Sequence, residues 1–281
     1  MFVKRQITVV SLLLFFTLAC RVWPQAAPRP PHLKASPGLT VVDIGSWKAV
    51  FQGIEFRRIT LERSEPYQVI QLKIVRCDNR STEPRVVQSS DYHLKSSNVR
   101  TLVEKSGALA MINANYFDDR GAALGFLKVG GDVNPTISKS ALFTGIFAIK
   151  NRIAFIVHRD DFDARQADQG LQAGPLLLSK SVPLNVTRGA ERQFRRSVIG
   201  MDAARRFVIA ATDNLFGGLT WVELQELFGA PEWRIETADL MNLDGGGSAQ
   251  LHVKTPRFEE YVPGTAEVPV AIGFFAKNAA P

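Results

Sequence analysis

The residues best suited to chemistry lie in one short segment, residues 242–248 (NLDGGGS). Asp244 supplies a carboxylate that can act as acid, base or nucleophile, or can bind sugar hydroxyls. Three glycines separate it from the hydroxyl of Ser248. Because glycine adopts positive φ freely, this run can bring several N–H groups to one point and hold an anion such as phosphate. The alternative is a glycine-rich turn that Asp244 caps.

Two buried-looking strands end abruptly in polar residues, and each follows a predicted helix. The first helix covers residues 98–105, with Ser97 as N-cap and Gly107 just past its end. The apolar run 108–112 follows it and ends in the polar stretch 113–118 (NANYFD). A buried strand holds the residues at its end rigidly, as a catalytic site requires.

The second helix begins at Thr220, which forms a capping-box pattern with Glu223, and it ends at Gly229. The apolar run 238–243 follows and leads directly to Asp244. We expect the ends of the two strands, at Asn113 and Asp244, to meet in space.

Alternating apolar runs predict further strands over residues 53–61, 67–75, 196–201 and 207–212. A hairpin is predicted over 144–157, with its turn at 150–152. No regular βαβ repeat is present. The sequence therefore predicts an α+β fold, with a mixed or antiparallel β-sheet core, few helices and a single catalytic domain over residues 38–277.

The N-terminus has the pattern of an export signal. A basic start is followed by the apolar stretch 9–19, too short for a membrane span, so residues 1–19 are predicted to be a signal peptide. Cys20 follows Thr-Leu-Ala, which resembles a bacterial lipoprotein cleavage site and would allow membrane attachment through a lipidated Cys20. Cleavage near residues 25–27 is the alternative and would release a soluble secreted protein. The proline-rich segment 20–37 is predicted to be a tether.

Composition is that of a globular protein, with 46% hydrophobic and 22% charged residues among 281. The formal net charge of +7 favours anionic glycopolymers, phosphates or lipid headgroups as partners, or simply reflects a soluble basic protein. Nucleic acid is not expected, because the chain carries an export signal and no interleaved basic and aromatic residues. With Cys20 lipidated or removed, Cys77 has no disulfide partner.

Four stretches, in this order, resemble the phosphodiester glycosidase family, which includes the lysosomal uncovering enzyme and bacterial exopolysaccharide-associated proteins. Residues 113–117 (NANYF) resemble its Asn-Gly-Gly-Phe-Phe loop, and residues 172–175 (QAGP) resemble a Gly-Pro turn. Residues 196–200 (RSVIG) resemble Arg-Thr-Ala-Ile-Gly, and 242–248 match the family's signature. The resemblance covers roughly the span from Val103 to Ala276.

The chain departs from the family pattern at two glycines. Asn115 replaces one, and Asn214 replaces the glycine that follows Asp213. Asparagine tolerates positive φ better than most residues, so the backbone can keep its path at both positions. The larger side chain of Asn115 is expected to alter which substrate fits.

The resemblance implies cleavage of a glycosidic bond whose leaving group is a phosphodiester. Such a leaving group has a low pKa, so it needs charge stabilisation more than a proton. Arg196 is the first candidate for that role, since a guanidinium binds phosphate oxygens in a fork, and Arg195 and Arg192 are alternatives. Glycosidases normally use two carboxylates, for which Asp244 is the first candidate and Asp213 the partner.

The predicted catalytic residues are thus Asp244 and Asp213, and the predicted substrate-binding residues are Asn113, Asn115, Arg196, Gly245, Gly246, Gly247 and Ser248. The amides of Asn113 and Asn115 would hold sugar hydroxyls or the phosphate.

Other polar residues are assigned lesser roles. Asp118 is expected to cap the loop after Phe117. The acidic residues in 160–168 lack the spacing of a calcium loop and are interpreted as a plain acidic loop rather than a cation site. The histidines show no metal-binding spacing, although His252 is a candidate to line the site. Neither a metal nor another cofactor is expected.

The leading hypothesis is a hydrolase that cleaves the glycosidic bond of sugar-1-phosphodiesters, similar to an N-acetylglucosamine-1-phosphodiester alpha-N-acetylglucosaminidase. Its expected substrates are envelope or extracellular glycoconjugates, met in the periplasm, at the membrane or after secretion. Two alternatives stay open. One is a non-catalytic protein of glycan binding or polysaccharide assembly, and the other is a glycoside hydrolase without a phosphate requirement.

Overall fold

The computed structural model describes residues 32–34, 36–186, 189–214 and 216–277. The predicted signal peptide, Cys20 and most of the predicted tether lie outside these described residues. No helix in the described ranges is long and apolar enough to span a membrane.

The strands of the first half are β1 (His32–Leu33), β2 (Ser36–Asp43), β3 (Lys48–Phe51), β4 (Ile54–Ser64), β5 (Tyr67–Cys77), β6 (Thr82–Gln88), β7 (Ala110–Asn113), β8 (Leu127–Lys128), β9 (Asp132–Asn134) and β10 (Gly145–Lys150). Those of the second half are β11 (Ile153–His158), β12 (Gln169–Ala173), β13 (Leu176–Ser179), β14 (Val182–Pro183), β15 (Ser197–Asp202), β16 (Phe207–Asp213), β17 (Thr237–Asn242), β18 (Leu251–Thr255), β19 (Phe258–Val262) and β20 (Val270–Ala276). The α-helices are α1 (Val99–Ser106) and α2 (Trp221–Gly229).

These strands form three sheets, and their pairings are antiparallel. The largest has the order β1-β2-β4-β5-β16-β15-β17-β13-β14, with β3 added to β4. The two smaller sheets have the orders β11-β10-β12-β8-β9 and β19-β18-β7-β20-β6. One core cluster contains side chains of all three, among them Val75, Ile112 and Phe147. The predicted α+β class and single domain are confirmed, and the sheets are antiparallel rather than mixed.

Both predicted helices are present, but the predicted N-cap of the first helix is wrong. Asn98, not Ser97, caps α1, because its side-chain oxygen accepts the N–H of Thr101 at 2.9 Å. Ser97 instead pairs with Val268 through two backbone hydrogen bonds of 3.0 and 2.8 Å. Helix α2 begins as predicted, with the Thr220–Glu223 capping box formed in both directions.

The predicted strands are also present, several of them longer than expected. The hairpin over 144–157 corresponds to β10 and β11, and the runs 196–201 and 207–212 correspond to β15 and β16. The predicted tether 20–37 extends too far, since β1 and the start of β2 belong to the large sheet. The side chain of Leu33 is buried there and adds to the core.

A buried ion pair joins the large sheet to α2. The guanidinium of Arg63 on β4 donates two hydrogen bonds of 2.9 Å to the carboxylate of Glu223. It also donates to the carbonyl of Gly218 at 3.1 Å, in the turn before the helix. Both side chains are almost fully buried. This pair fixes the N-terminus of α2, which carries one wall of the cavity described below.

Glu223→Ala is expected to lower the free energy of unfolding by about 3–5 kcal/mol, because it leaves the buried charge of Arg63 without a counter-ion. Thr220→Ala, which removes only a cap, should cost about 1 kcal/mol. Urea unfolding followed by circular dichroism measures both. Equal losses for the two variants would contradict this role for the ion pair.

Candidate active site

A cavity of about 990 Å³ opens where the ends of β7 and β17, the loop before β15 and the start of α2 converge. Its polar and aromatic lining includes Tyr116, His158, Arg192, Arg196, Trp221 and Asp244. In the described parts of the chain, Asp244 is the one carboxylate among the lining residues.

The ends of β7 and β17 meet, as predicted. The N–H of Asp244 donates to the carbonyl of Ala114 at 3.0 Å, and the side-chain amide of Asn113 donates to the carbonyl of Asp244 at 2.7 Å. The other end of the Asn113 amide accepts the hydroxyl of Ser197 at 2.7 Å and the N–H of Gln250 at 3.1 Å. Asn113 is fully buried. It therefore positions Asp244, and its side chain is not exposed to the cavity.

The carboxyl group of Asp244 faces the cavity from a largely buried position. Burial disfavours its charged form and raises its pKa from 3.8 to about 6. Hydrogen bonds from the hydroxyl of Ser248 and the N–H of Gly245 act in the opposite direction. The carboxyl group is therefore mostly ionised at neutral pH, although burial destabilises its charged form.

Arg196 lies in the same cavity and is held from several sides. Its Nε donates to the carbonyl of Leu219 at 2.8 Å, and one terminal nitrogen donates to the carbonyl of Arg192 at 2.6 Å. The guanidinium carbon lies 5.3 Å from the ring of Phe194 and 5.0 Å from that of Trp221. Burial lowers its pKa to about 10, so it stays charged at neutral pH. Within the described residues the other terminal nitrogen, Nη1, has no hydrogen bond and remains for a ligand.

The two alternative arginines differ in position. Arg192 lines the cavity beside Arg196. The guanidinium of Arg195 instead donates to the carbonyls of Ala249 and Pro263, at 3.0 Å in the first case. Arg195 therefore has a structural role, and Arg192 remains the candidate for a second phosphate contact.

The glycine run is not the open anion nest that the sequence predicts. The N–H of Gly246 donates to the carbonyl of Arg195 at 2.9 Å, and that of Ser248 donates to the carbonyl of Gly245 at 3.1 Å. The segment forms one turn of 3-10 helix over Gly246–Ser248. Glycine is required at 245, because a β-carbon there would lie 2.8 Å from the Arg195 carbonyl, and at 246, where φ is 59°. Gly245 and Gly246 line the cavity by their backbone.

Asp213 does not belong to the cavity lining. Its carboxylate lies 2.7 Å from the ammonium group of Lys73, which also lies 2.6 Å from Glu260 on β19. This cluster joins the large sheet to β19. The structure gives Asp213 the role of an ion-pair partner and does not place it in the cavity lining.

Asn115 has a buried amide oxygen without a hydrogen-bond partner among the described residues. It is 3% exposed, and its amide nitrogen donates to the carbonyl of Tyr116 at 2.9 Å. The predicted contact between its side chain and substrate stays a prediction. Its role is to shape the loop that carries Tyr116.

Tyr116 lines the cavity and was missed as a site residue. Its hydroxyl lies 3.1 Å from the carbonyl of Gly174 and accepts the amide of Asn242 at 3.1 Å. Burial, and then the charge of Asp244, raise its pKa above the usual range, so it stays neutral. Its position directly after the Asn-Ala-Asn stretch was the available sequence signal.

Gln172, in the Gln172–Pro175 stretch, holds the loop over residues 138–143, which forms part of the cavity wall. The side-chain amide of Gln172 donates to the carbonyls of Ser138 and Phe143 at 2.9 and 2.7 Å, and its oxygen accepts two backbone N–H groups. Residues 140–142, which lie between Ser138 and Phe143, line the cavity. The ring of Phe143 lies 5.0 Å from that of Tyr116.

Of the histidines, His158 lines the cavity and His252 does not. His158 was missed as a site residue, and its Nδ1 accepts the N–H of Asp160 at 3.3 Å. His252 is fully buried and lies 3.0 Å from the carboxylate of Glu259, so its predicted place in the site is wrong.

Three further carboxylates, those of Asp118, Asp163 and Asp168, have protein partners. Asp118 caps its loop as expected, accepting the N–H groups of Arg120 and Ala122 at 2.9 and 2.8 Å. In the acidic loop, Asp163 pairs with Arg165, and Asp168 pairs with Lys150. Among the described residues, no cluster of His, Cys, Asp or Glu has the arrangement of a metal site.

The fold is that of a β-rich protein, and the described lining of its cavity holds the carboxylate of Asp244 together with Arg192 and Arg196. The phosphodiester glycosidase family model matches residues 106–275. The chain belongs to the phosphodiester glycosidase family. No curated protein matches it in a sequence search.

Three solved structures share the fold. The catalytic domain of zebrafish N-acetylglucosamine-1-phosphodiester alpha-N-acetylglucosaminidase, auto-inhibited by its pro-peptide, aligns with a TM-score of 0.60 and 14% identity, over 85% of this chain and 89% of that one. A hypothetical protein from Synechocystis aligns with 0.59 and 12%, over 83% and 64%. The chain thus spans less than two thirds of that protein's length. A protein from Burkholderia pseudomallei aligns with 0.50 and 11%, over 74% of each chain.

The free energy of unfolding should depend on pH because the pKa of Asp244 is raised in the folded protein. Its folded pKa of about 6 exceeds the ordinary 3.8, so the folded state binds more protons between these values. This proton binding by Asp244 stabilises the folded state. Its contribution is fully present below about pH 4 and is lost as pH rises through 6. From pH 4 to 7.5, wild type should lose about 1–3 kcal/mol relative to Asp244→Asn. Urea titrations at both pH values test this, and parallel pH dependence would contradict it.

Proposed function

We propose that the protein hydrolyses the glycosidic bond of sugar-1-phosphodiesters. The observation that carries the proposal is the pairing, in one cavity, of the Asp244 carboxylate with the guanidinium of Arg196, whose Nη1 is available to a ligand. A carboxylate and a cation that line one cavity suit a substrate whose reacting carbon becomes positive while its leaving group carries negative charge. Membership of the phosphodiester glycosidase family supports the same reaction class.

One carboxylate suffices for this reaction because the leaving group is already a weak base. A phosphodiester departs without a proton, so the general acid of an ordinary glycosidase is not needed. Asp244 then acts in its ionised form, either attacking the anomeric carbon or removing a proton from water. Arg196, with Arg192 beside it, stabilises the charge on the departing phosphate oxygens.

The substrate we propose is an envelope or extracellular glycoconjugate, with an N-acetylglucosamine-1-phosphodiester as the first compound to try. The basic start, apolar stretch and Cys20 of the N-terminal sequence support export, through either a lipid anchor or a cleaved signal peptide. A formal net charge of +7 supports an anionic substrate.

Hydrolysis should depend on Asp244 and not on Asp213. Asp244→Asn keeps the shape but removes the ionisable group, and it should lower kcat/KM at least about 1,000-fold. Asp213→Asn, outside the cavity, is the matched control and should retain most activity. Release of N-acetylglucosamine from a series of its 1-phosphodiesters measures both.

Three results would count against the proposal. Full activity in Asp244→Asn would remove this residue from the reaction. Binding of glycans without turnover would favour a non-catalytic protein. Turnover of aryl glycosides but not of phosphodiesters would favour a glycoside hydrolase without a phosphate requirement.

The pH dependence of kcat/KM should show one ascending limb with its midpoint near 6, because the ionised carboxylate is the active form. No falling limb from an acid partner is expected between pH 6 and 8. Ser248→Ala removes the hydroxyl that favours the charged form, so it should move the midpoint to higher pH. A bell-shaped profile, or no shift in Ser248→Ala, would contradict this assignment.

A further inference from the structure

A second cavity, of about 590 Å³, is lined mainly by arginines and is called the arginine pocket. It lies among the turn before β6, the turn between β10 and β11, and the turn between β15 and β16. The charged residues of its described lining are Asp78, Arg80, Arg152, Arg205 and Arg206. Four guanidinium groups thus face one carboxylate, so the pocket has an excess of positive charge.

The arginine pocket lies at the far end of the β15–β16 hairpin from the active-site cavity. Arg196, in that cavity, directly precedes β15, whereas Arg205 and Arg206 lie in the turn that joins β15 to β16. β15 has six residues, so at about 3.3 Å per residue the two sites are roughly 20 Å apart. Their described linings share no residue. The arginine pocket is therefore a separate site.

The turns that form the pocket are held by hydrogen bonds. The side-chain amide of Asn79 donates to the carbonyl of Arg205, which joins the turn before β6 to that between β15 and β16. The N–H of Arg205 donates to the carbonyl of Asp202 at 2.9 Å. The guanidinium of Arg152 donates to the carboxylate of Glu83, on β6, at 3.1 Å. The pocket is thus formed before any ligand enters it.

The guanidinium groups keep N–H donors for a ligand. Arg80 binds Asp78 through Nε and Nη2, and Arg206 binds Asp202 through Nε. Within the described chain, Nη1 of Arg80 and Nη2 of Arg206 have no hydrogen bond. The side chain of Arg205 is exposed and has neither a hydrogen bond nor an ion pair there.

This arrangement suits a phosphate ester. A guanidinium binds phosphate oxygens in a fork, and several guanidinium groups match a group that carries more than one acceptor oxygen. The lining also includes the apolar residues Pro84, Ile153 and Ala154. They provide a surface against which the carbon atoms of an ester can pack.

We propose that the arginine pocket is a second ligand site, which binds the phosphate group of an organic phosphate ester through Arg205 and the neighbouring arginines. The ester is either a small soluble molecule or the headgroup of an anionic phospholipid, since both present the same phosphate chemistry. The site does not depend on the proposed hydrolysis, and ligand binding there is separate from catalysis.

A titration followed by NMR measures the two sites separately. With glycerol 3-phosphate at low ionic strength, the backbone amide signals of Arg80 and Ile153 report the pocket, and those of Gly245 and Gly246 report the active-site cavity. The pocket signals of wild type should shift and saturate. Arg205→Gln should raise the Kd at the pocket about 5- to 10-fold, because it removes charge-assisted hydrogen bonds, and should leave the response at Gly245 and Gly246 unchanged.

Arg257→Gln is the matched control. Arg257 is also an exposed arginine in a tight turn, between β18 and β19, and it belongs to neither described lining. This variant changes the net charge by the same amount as Arg205→Gln. It should leave the Kd at the pocket unchanged.

Co-sedimentation with vesicles identifies the source of the phosphate. The vesicles contain phosphatidylglycerol in phosphatidylcholine, or phosphatidylcholine alone. Binding that requires phosphatidylglycerol and is weakened in Arg205→Gln, but not in Arg257→Gln, assigns the pocket to a lipid headgroup. Saturable binding of glycerol 3-phosphate without such vesicle binding assigns it to a soluble ester.

Three results would overturn the site. One is the absence of saturable shifts at the pocket together with no Arg205-dependent vesicle binding. Another is an unchanged affinity in Arg205→Gln for whichever ligand binds. The third is an equal loss of affinity in Arg257→Gln, which would show an effect of net charge alone.

Discussion

The side chain of Asn113 joins the parts of the molecule that make the cavity. Its amide bonds to the carbonyl of Asp244, to the hydroxyl of Ser197 and to the N–H of Gln250, so that β7, β15 and the segment leading to β18 are held at one point. These groups are buried, and an unpaired amide there would cost about 1–3 kcal/mol. The direction in which Asp244 leaves β17 is therefore set by a fully buried side chain.

Burial gives the two charged residues of the cavity their properties. It raises the pKa of Asp244 and lowers that of Arg196, yet both stay charged at neutral pH. Neither forms an ion pair with a protein group in the described part of the chain, which would have neutralised it. Charges that have no oppositely charged partner among the described residues are available to a substrate that carries the opposite charges.

The sequence was informative where the signal is local. A buried strand that ends in Asn113 and another that ends before Asp244 predicted their meeting, and the capping box predicted the start of α2. The sequence was not informative where the role of a residue depends on a partner that is distant along the chain. The Gly246 N–H binds the carbonyl of Arg195, and Asp213 pairs with Lys73, and neither partner can be identified from nearby residues. His158 was missed for the same reason, since only the folded chain brings it to the cavity.

The central claim is that one cavity holds a phosphodiester between Arg196 and Asp244. Its most direct test is a crystal structure of the Asp244→Asn protein with an uncleaved sugar-1-phosphodiester. The account predicts a non-bridging phosphate oxygen about 3 Å from Nη1 of Arg196, with the anomeric carbon facing residue 244. A phosphate bound elsewhere, with Arg196 free of contact, would contradict it.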